Sequence, residues 1–147
     1  MKTPAVATIS HIGICCANIE ESIAFYTDAL GFIHERSIDT IGPPYDTLTE
    51  LPGITCCAHY MQCGDITIEL IGYPDSEVSG TTERRPMNQL GFTHMTLIVE
   101  DVEAVAEQVV QYGGQIHAET RIDSPYGPMV FCTDPNGVRI ELMQSAG

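Results

Sequence analysis

Positive charge is scarce in this chain of 147 residues. Lys2, Arg36, Arg84, Arg85, Arg121 and Arg139 are its only bases against twenty Asp and Glu, giving a formal charge of −14 at pH 7. Such a surface repels phosphate backbones and anionic lipid, so nucleic acid and membranes are not expected partners. Any anionic substrate needs one of those few arginines beside it. Long apolar runs are also missing. Nothing approaches the roughly 18 to 20 residues that span a bilayer, and residues 1–10 lack a signal-peptide core, so the expected location is cytoplasmic. The six cysteines, at 15, 16, 56, 57, 63 and 132, have no CxxC spacing. That excludes zinc-ribbon and thioredoxin motifs and predicts mostly small buried hydrophobes in a reducing compartment. The neighbours Cys15-Cys16 and Cys56-Cys57 should point to opposite faces of their strands.

With 44% hydrophobic residues, residues 1–147 suit one compact domain with a genuine core, or two small modules sharing an interface. The second description fits the pattern, because the chain repeats itself. His11-Ile-Gly-Ile-Cys-Cys, Asn18, a helical stretch to Leu30 and Gly31 match His94-Met-Thr-Leu-Ile-Val, Asp101, a helical stretch to Tyr112 and Gly113. Each half then closes on a turn and an apolar strand. Cys63-Gly64-Asp65 leads into Ile66 to Ile71, and Asp134-Pro135-Asn136-Gly137 leads into Val138 to Met143. A unit of half the chain is too long for a solenoid repeat and right for a duplicated subdomain.

In detail, residues 8–16 read as a strand, and Asn18 caps a helix with Ile19, Ile23, Tyr26 and Leu30 at helical spacing before Gly31 stops it. Residues 32–37 read as a short edge strand. Residues 39–53, with Pro43-Pro44 and Pro52-Gly53, read as a long loop absent from the second half. Residues 54–62 and 66–72 form a hairpin. The second half repeats the order: strand 92–99, helix 102–112, and strands 116–121, 128–133 and 138–144. The expected fold is therefore α+β, with a βαβββ module over 7–72, a linker over 73–90 and a second module over 91–144.

Ile-Glu-Leu occurs at 68–70 and again at 140–142. An ionised carboxylate set between Ile and Leu in a strand costs several kcal/mol unless something pairs with it. Arg139 precedes Glu141 on the same face and is a possible partner, but Thr67 holds the equivalent place before Glu69. Two neutral imidazoles, His11 and His94, and two carboxylates, Glu69 and Glu141, around one divalent cation satisfy both acids at once. His34, His59 and His117 have no counterparts across the repeat and read as structural.

These features resemble the vicinal oxygen chelate superfamily, which includes glyoxalase I, methylmalonyl-CoA epimerase, fosfomycin-resistance transferases and extradiol dioxygenases. The resemblance lies in residues 12–32, in Gly91-Phe92-Thr93-His94, and in Asp134-Pro135-Asn136-Gly137 before Ile140-Glu141-Leu142. It implies two βαβββ modules curled into a cleft, with one divalent metal on His11, Glu69, His94 and Glu141. Mixed imidazole and carboxylate ligands suit Zn, Ni, Co, Mn or Fe(II). Two open positions would chelate a small carbonyl substrate and stabilise an enediolate. Glu141, with Glu69 opposite, is the candidate base for the α-proton.

The two-His, two-Glu set is similar to bacterial glyoxalase I and favours isomerase or lyase chemistry. The Arg and Asn that serve glutathione in that family correspond to Cys15 and Tyr73 here, so the sequence leaves the use of glutathione open. Cys15, Tyr73, Met95, Met129 and Phe131 are the expected substrate-contacting residues, with Arg121 or Arg139 to receive a carboxylate. An iron-dependent ring-cleaving dioxygenase and a metal-free binding or resistance protein are the alternatives. A module of this size leaves an edge strand and an open face, and relatives of this kind are often dimers, so a homodimer is expected.

Overall fold

A computed structural model describes residues 5–145. The elements are β1 (Ile12–Cys15), α1 (Ile19–Ala24) continued by one π-helical turn (Phe25–Ala29), β2 (Ile33–Ile41), α2 (Tyr45–Thr49), β3 (Thr55–Cys63) and β4 (Ile66–Gly72). After an irregular stretch follow β5 (Met95–Val99), α3 (Val102–Gln111), β6 (Gln115–Ser124), β7 (Gly127–Thr133) and β8 (Arg139–Gln144). They form two four-stranded mixed sheets of the same topology, β1-β4-β3-β2 and β5-β8-β7-β6. In each, the first strand pairs in parallel with the last, across the helix, and the other pairings are antiparallel. This is the tandem βαβββ arrangement of an α+β fold.

The caps act as the sequence requires. Asn18 accepts the Glu21 amide and Asp101 accepts the Ala104 amide, both at 3.1 Å. These bonds satisfy helix-end donors that would otherwise be orphaned. Four strand boundaries differ from expectation by three residues or more. β5 begins at Met95 rather than 92, and β6 runs on to Ser124 rather than 121. β1 begins only at Ile12, and β2 runs on to Ile41, paired with Thr55, where a loop from residue 39 was expected. Asp39 and Thr40 look like loop residues, yet their backbone groups find partners on β3. The remaining segment also folds a short helix, α2.

One core serves both modules. Phe25, Tyr26, Ile68 and Leu70 from the first and Val102, Val109, Ile140 and Leu142 from the second belong to a single buried cluster. A polar clasp closes the seam. Ala17 N–H donates to Asn136 Oδ1 at 2.9 Å, Asn136 Nδ2 donates to Ser22 Oγ at 3.0 Å, and the buried Tyr26 hydroxyl donates to Asp134 Oδ2 at 2.9 Å. At Gly114 a Cβ would fall 2.6 Å from the Thr133 carbonyl and 2.7 Å from the Phe25 ring, so no larger residue fits where α3 leads into β6.

All six cysteines are free. Cys16, Cys56 and Cys132 are buried, Cys57 is half-buried, and Cys15 and Cys63 are exposed. Each adjacent pair thus splits between environments, and only half of the thiols are buried where most were expected to be. Burial pushes the Cys16 thiol up to about 11 and the Cys132 thiol up to about 12. Since the thiolate is the nucleophile, brief iodoacetamide treatment of the native protein is expected to label Cys15 and Cys63, with Cys16 and Cys132 labelled only after unfolding. Mass mapping of the adducts checks this, and early labelling at Cys132 would contradict the buried assignment.

Candidate functional site

Ile68 and Leu70 face the helices, so by strand alternation Glu69 lies on the opposite, helix-free face of β4. Its register neighbours are Gly13 on β1 and Tyr60 on β3, and Tyr60 in turn pairs with Arg36 on β2. The second sheet repeats this row as Thr96, Glu141, Phe131 and His117. His11 lies two residues before Gly13 and His94 two before Thr96, so the two candidate pairs occupy matching places.

In the first module the pair is assembled. His11 Nε2 lies 3.1 Å from Glu69 Oε2, and the Tyr60 hydroxyl donates to Glu69 Oε1 at 3.1 Å. Tyr60 is only 8% exposed. The His11 ring meets it edge-on at 5.3 Å, and the Arg36 guanidinium lies 3.9 Å over its face. Burial first, and then the Glu69 charge, push the Tyr60 hydroxyl above the usual phenol range. The second module keeps the aromatic frame. His94 meets Phe131 edge-on at 5.3 Å, with the Arg139 guanidinium 4.7 Å over that ring. Glu141 accepts a hydrogen bond from the Thr96 hydroxyl at 3.1 Å.

Each imidazole is also held from behind. Ser10 Oγ lies 2.9 Å from His11 Nδ1, and Thr93 Oγ1 lies 2.9 Å from His94 Nδ1. A contact at Nδ1 fixes each ring and leaves Nε2 as the nitrogen for a cation, the arrangement that orients metal-binding histidines. The 3.1 Å separation of His11 Nε2 and Glu69 Oε2 suits two adjacent donors on one cation at about 2.0–2.2 Å each. The donor types and their support therefore fit a divalent ion. A single chain does not close the set, however: among the described residues no three His, Cys, Asp or Glu side chains converge as a metal site. The first pair meets, and the second sits in its own module.

The arginines fall differently from the sequence reading. Arg139 does not neutralise Glu141. It is buried, donates to the Arg85 carbonyl and covers Phe131. Burial pulls its guanidinium below the usual arginine range. Arg121 ion-pairs with Glu103 on α3. Among the remaining candidates, Cys15 is exposed on the Glu69 face, and Met129 lies on the Phe131 and Glu141 face of the second sheet. Tyr73 follows β4, its hydroxyl pushed up by burial and by its neighbours Cys56, Cys15 and Glu69. Met95 packs against the core and also lines a cavity of about 360 Å³, which runs past Gly13, Cys15, Phe92, His94 and Arg139.

Sequence reasoning missed Tyr60, Ser10, Thr96 and Arg36 entirely. A signal for one of them exists, since a hydroxyl residue precedes each paired histidine, Ser10-His11 and Thr93-His94. Among the described residues no helix is long and apolar enough to cross a membrane.

The family model described as the Glyoxalase/Bleomycin resistance protein/Dioxygenase superfamily matches residues 8–142. A probable lactoylglutathione lyase from Synechocystis sp. is 24% identical over 92% of this chain and 94% of its own length. A glyoxalase family protein from Bacillus cereus superposes with a TM-score of 0.86 at 18% identity, covering 100% of this chain and 99% of the other. The trypanothione-dependent glyoxalase I of Leishmania major gives 0.66 at 22% identity over 95% and 87%. The fosfomycin resistance protein FosX of Mesorhizobium loti gives 0.58 at 14% identity over 95% and 92%.

Proposed function

Because the chain belongs to the Glyoxalase/Bleomycin resistance protein/Dioxygenase superfamily, we propose that it is a divalent-metal-dependent isomerase or lyase of the glyoxalase I-like type, acting on a small carbonyl compound. The observation that carries this reading is the matched pair of half-sites. Each has an imidazole held at Nδ1 by the preceding hydroxyl and a carboxylate at the same register position, His11 with Glu69 and His94 with Glu141. The kinship with a protein named a probable lactoylglutathione lyase supports the lyase side.

His11, Glu69, His94 and Glu141 would hold one ion of Zn, Ni, Co, Mn or Fe. When bound, it supplies Lewis-acid polarisation of the substrate carbonyl, worth several kcal/mol. The remaining work falls to the chain. Ser10 and Thr93 fix the two rings, so little reorganisation is needed when the site forms. Glu141 has no ion-pair partner among the described residues, which leaves it available to take the α-proton and return it to the neighbouring carbon. Cys15, Tyr73, Met129 and Phe131 offer apolar or weakly polar walls, which suit a small hydrophobic carbonyl compound better than a peptide-like thiol.

The site is completed by a second copy of the chain. Leu90, Phe92 and Ile98, which flank His94 at the β5 edge, are 97%, 86% and 68% exposed, an apolar border suited to a homodimer interface. Complementation tests this. His11→Ala and His94→Ala chains are each expected to be inactive alone. If the site is shared across the interface, mixing and refolding them should restore about a quarter of wild-type activity, since half of the dimers are mixed and each has one intact site. No recovery in mixed dimers would place the whole site within one polypeptide.

The reaction class is tested by metal analysis of protein purified without added metal, and by α-proton exchange in D₂O before and after chelation. Chelator is expected to abolish exchange, and Zn²⁺ or Ni²⁺ to restore it. Iron with oxygen uptake on catechols would instead assign the dioxygenase chemistry.

A further inference from the structure

The two halves hold their central carboxylates by different means. Glu69 Oε1 accepts the Tyr60 hydroxyl at 3.1 Å, while Oε2 lies 3.1 Å from His11 Nε2, the donor that would share its cation. Tyr60 is itself held, buried among its neighbours with His11 at its edge and Arg36 over its face. In the second half Phe131 has the same edge contact with an imidazole and the same arginine above it, but it has no hydroxyl to offer. Glu141 depends instead on Thr96, an exposed side chain on an edge strand. The exchange is reciprocal, because Gly13 stands where Thr96 does in the other sheet. The repeat has kept its aromatic scaffold and moved its hydroxyl.

A carboxylate oxygen bonded to a buried, stacked phenol turns only by breaking that packed contact. A lone bond to an exposed hydroxyl competes with water and restrains little. We propose that Tyr60 is a positioning residue that fixes Glu69 as the static donor of the set, and that Phe131, by lacking a hydroxyl, leaves Glu141 as the carboxylate free to swing. The assignment of the swinging group rests on the isomerase reading above; the fixing of Glu69 does not.

The test uses Tyr60→Phe, Phe131→Tyr and the double swap, all near-isosteric, in the full chain. Zn²⁺ affinity is measured by competition with a chromophoric chelator, and α-proton exchange by NMR with hydroxyacetone in D₂O. Tyr60→Phe is expected to weaken Zn²⁺ binding about 10- to 100-fold, the usual cost of losing a group that orients a metal ligand, with the melting temperature little changed. If that variant folds poorly, Arg36→Gln, which uncovers the ring, should weaken Zn²⁺ in the same direction. In the native background Glu141→Gln should remove exchange while Glu69→Gln mainly weakens Zn²⁺. In the double swap these sensitivities should trade places. Zn²⁺ affinity of folded Tyr60→Phe within about threefold of wild type overturns the fixing role, and unchanged sensitivities in the double swap overturn the division of labour. Weakened Zn²⁺ binding with no exchange in any variant would uphold Tyr60 and sink the isomerase reading instead.

Discussion

Glu141→Gln is expected to slow α-proton exchange by about 10²–10⁴-fold, the range a positioned general base contributes, while the protein still binds metal. The substitution keeps the carbonyl oxygen that accepts from Thr96 and removes the negative charge, weakening one metal donor and abolishing its capacity to take a proton. It is nearly isosteric on a strand whose neighbours Ile140 and Leu142 are fully buried, so the fold should survive. The pattern that identifies a base is a fall in kcat with little change in KM and with bound metal retained. Exchange at full rate in the variant would remove Glu141 from the reaction and shift the role to Glu69.

Asp134→Ala is expected to be the most damaging single change to stability outside the apolar core, at about 3–5 kcal/mol, with the melting temperature lower by on the order of 10 °C. Asp134 is 3% exposed and accepts from the amides of Asn136 and Val138 and from the Tyr26 hydroxyl. Removing the carboxylate strands those donors in the interior, including a tyrosine with no exposed surface. Asp134→Asn should cost less, because an acceptor remains. Burial raises the Asp134 carboxyl above its ordinary 3.8 in spite of these bonds. The folded state therefore holds this proton more readily than the unfolded chain does. That contribution to stability is fully present below the ordinary carboxylate range and is lost as pH rises through the raised value. Urea titrations should show wild type losing stability relative to Asp134→Asn as pH rises above the ordinary carboxylate range, and a wild-type advantage that grows with pH would contradict the assignment.

The duplicated architecture was legible because strand alternation and helical spacing leave a direct trace in residue order. Ile68 and Leu70, like Ile140 and Leu142, mark one face and thereby place Glu69 and Glu141 on the other. Asn18 and Asp101 announced their helices, as capping chemistry requires. What could not be read depends on contacts between distant segments. Tyr60 looks like one more large residue in an apolar strand, and only register with β4 reveals that its hydroxyl meets Glu69. Arg121 ion-pairs at the surface with Glu103, 18 positions away, a contact that residue order does not announce. Arg139 precedes Glu141 by two residues, yet it finds the Arg85 carbonyl and the Phe131 face. The extension of β2 to Ile41 was hidden because a polar residue such as Asp39 reads as a break, whereas a strand edge needs only its backbone.

The clasp across the seam also bears on how the chain is made. Ala17 emerges from the ribosome long before its partner Asn136, 119 positions later, while the first sheet, complete at Gly72, can close much earlier. Until the last strands arrive, the Phe25 and Tyr26 side chains of that nascent half have no opposite wall, and their aromatic surface is open to association with other growing polypeptides. Cellular yield should therefore depend on translation pace and chaperone supply over that interval, more than the equilibrium stability of the finished protein would suggest.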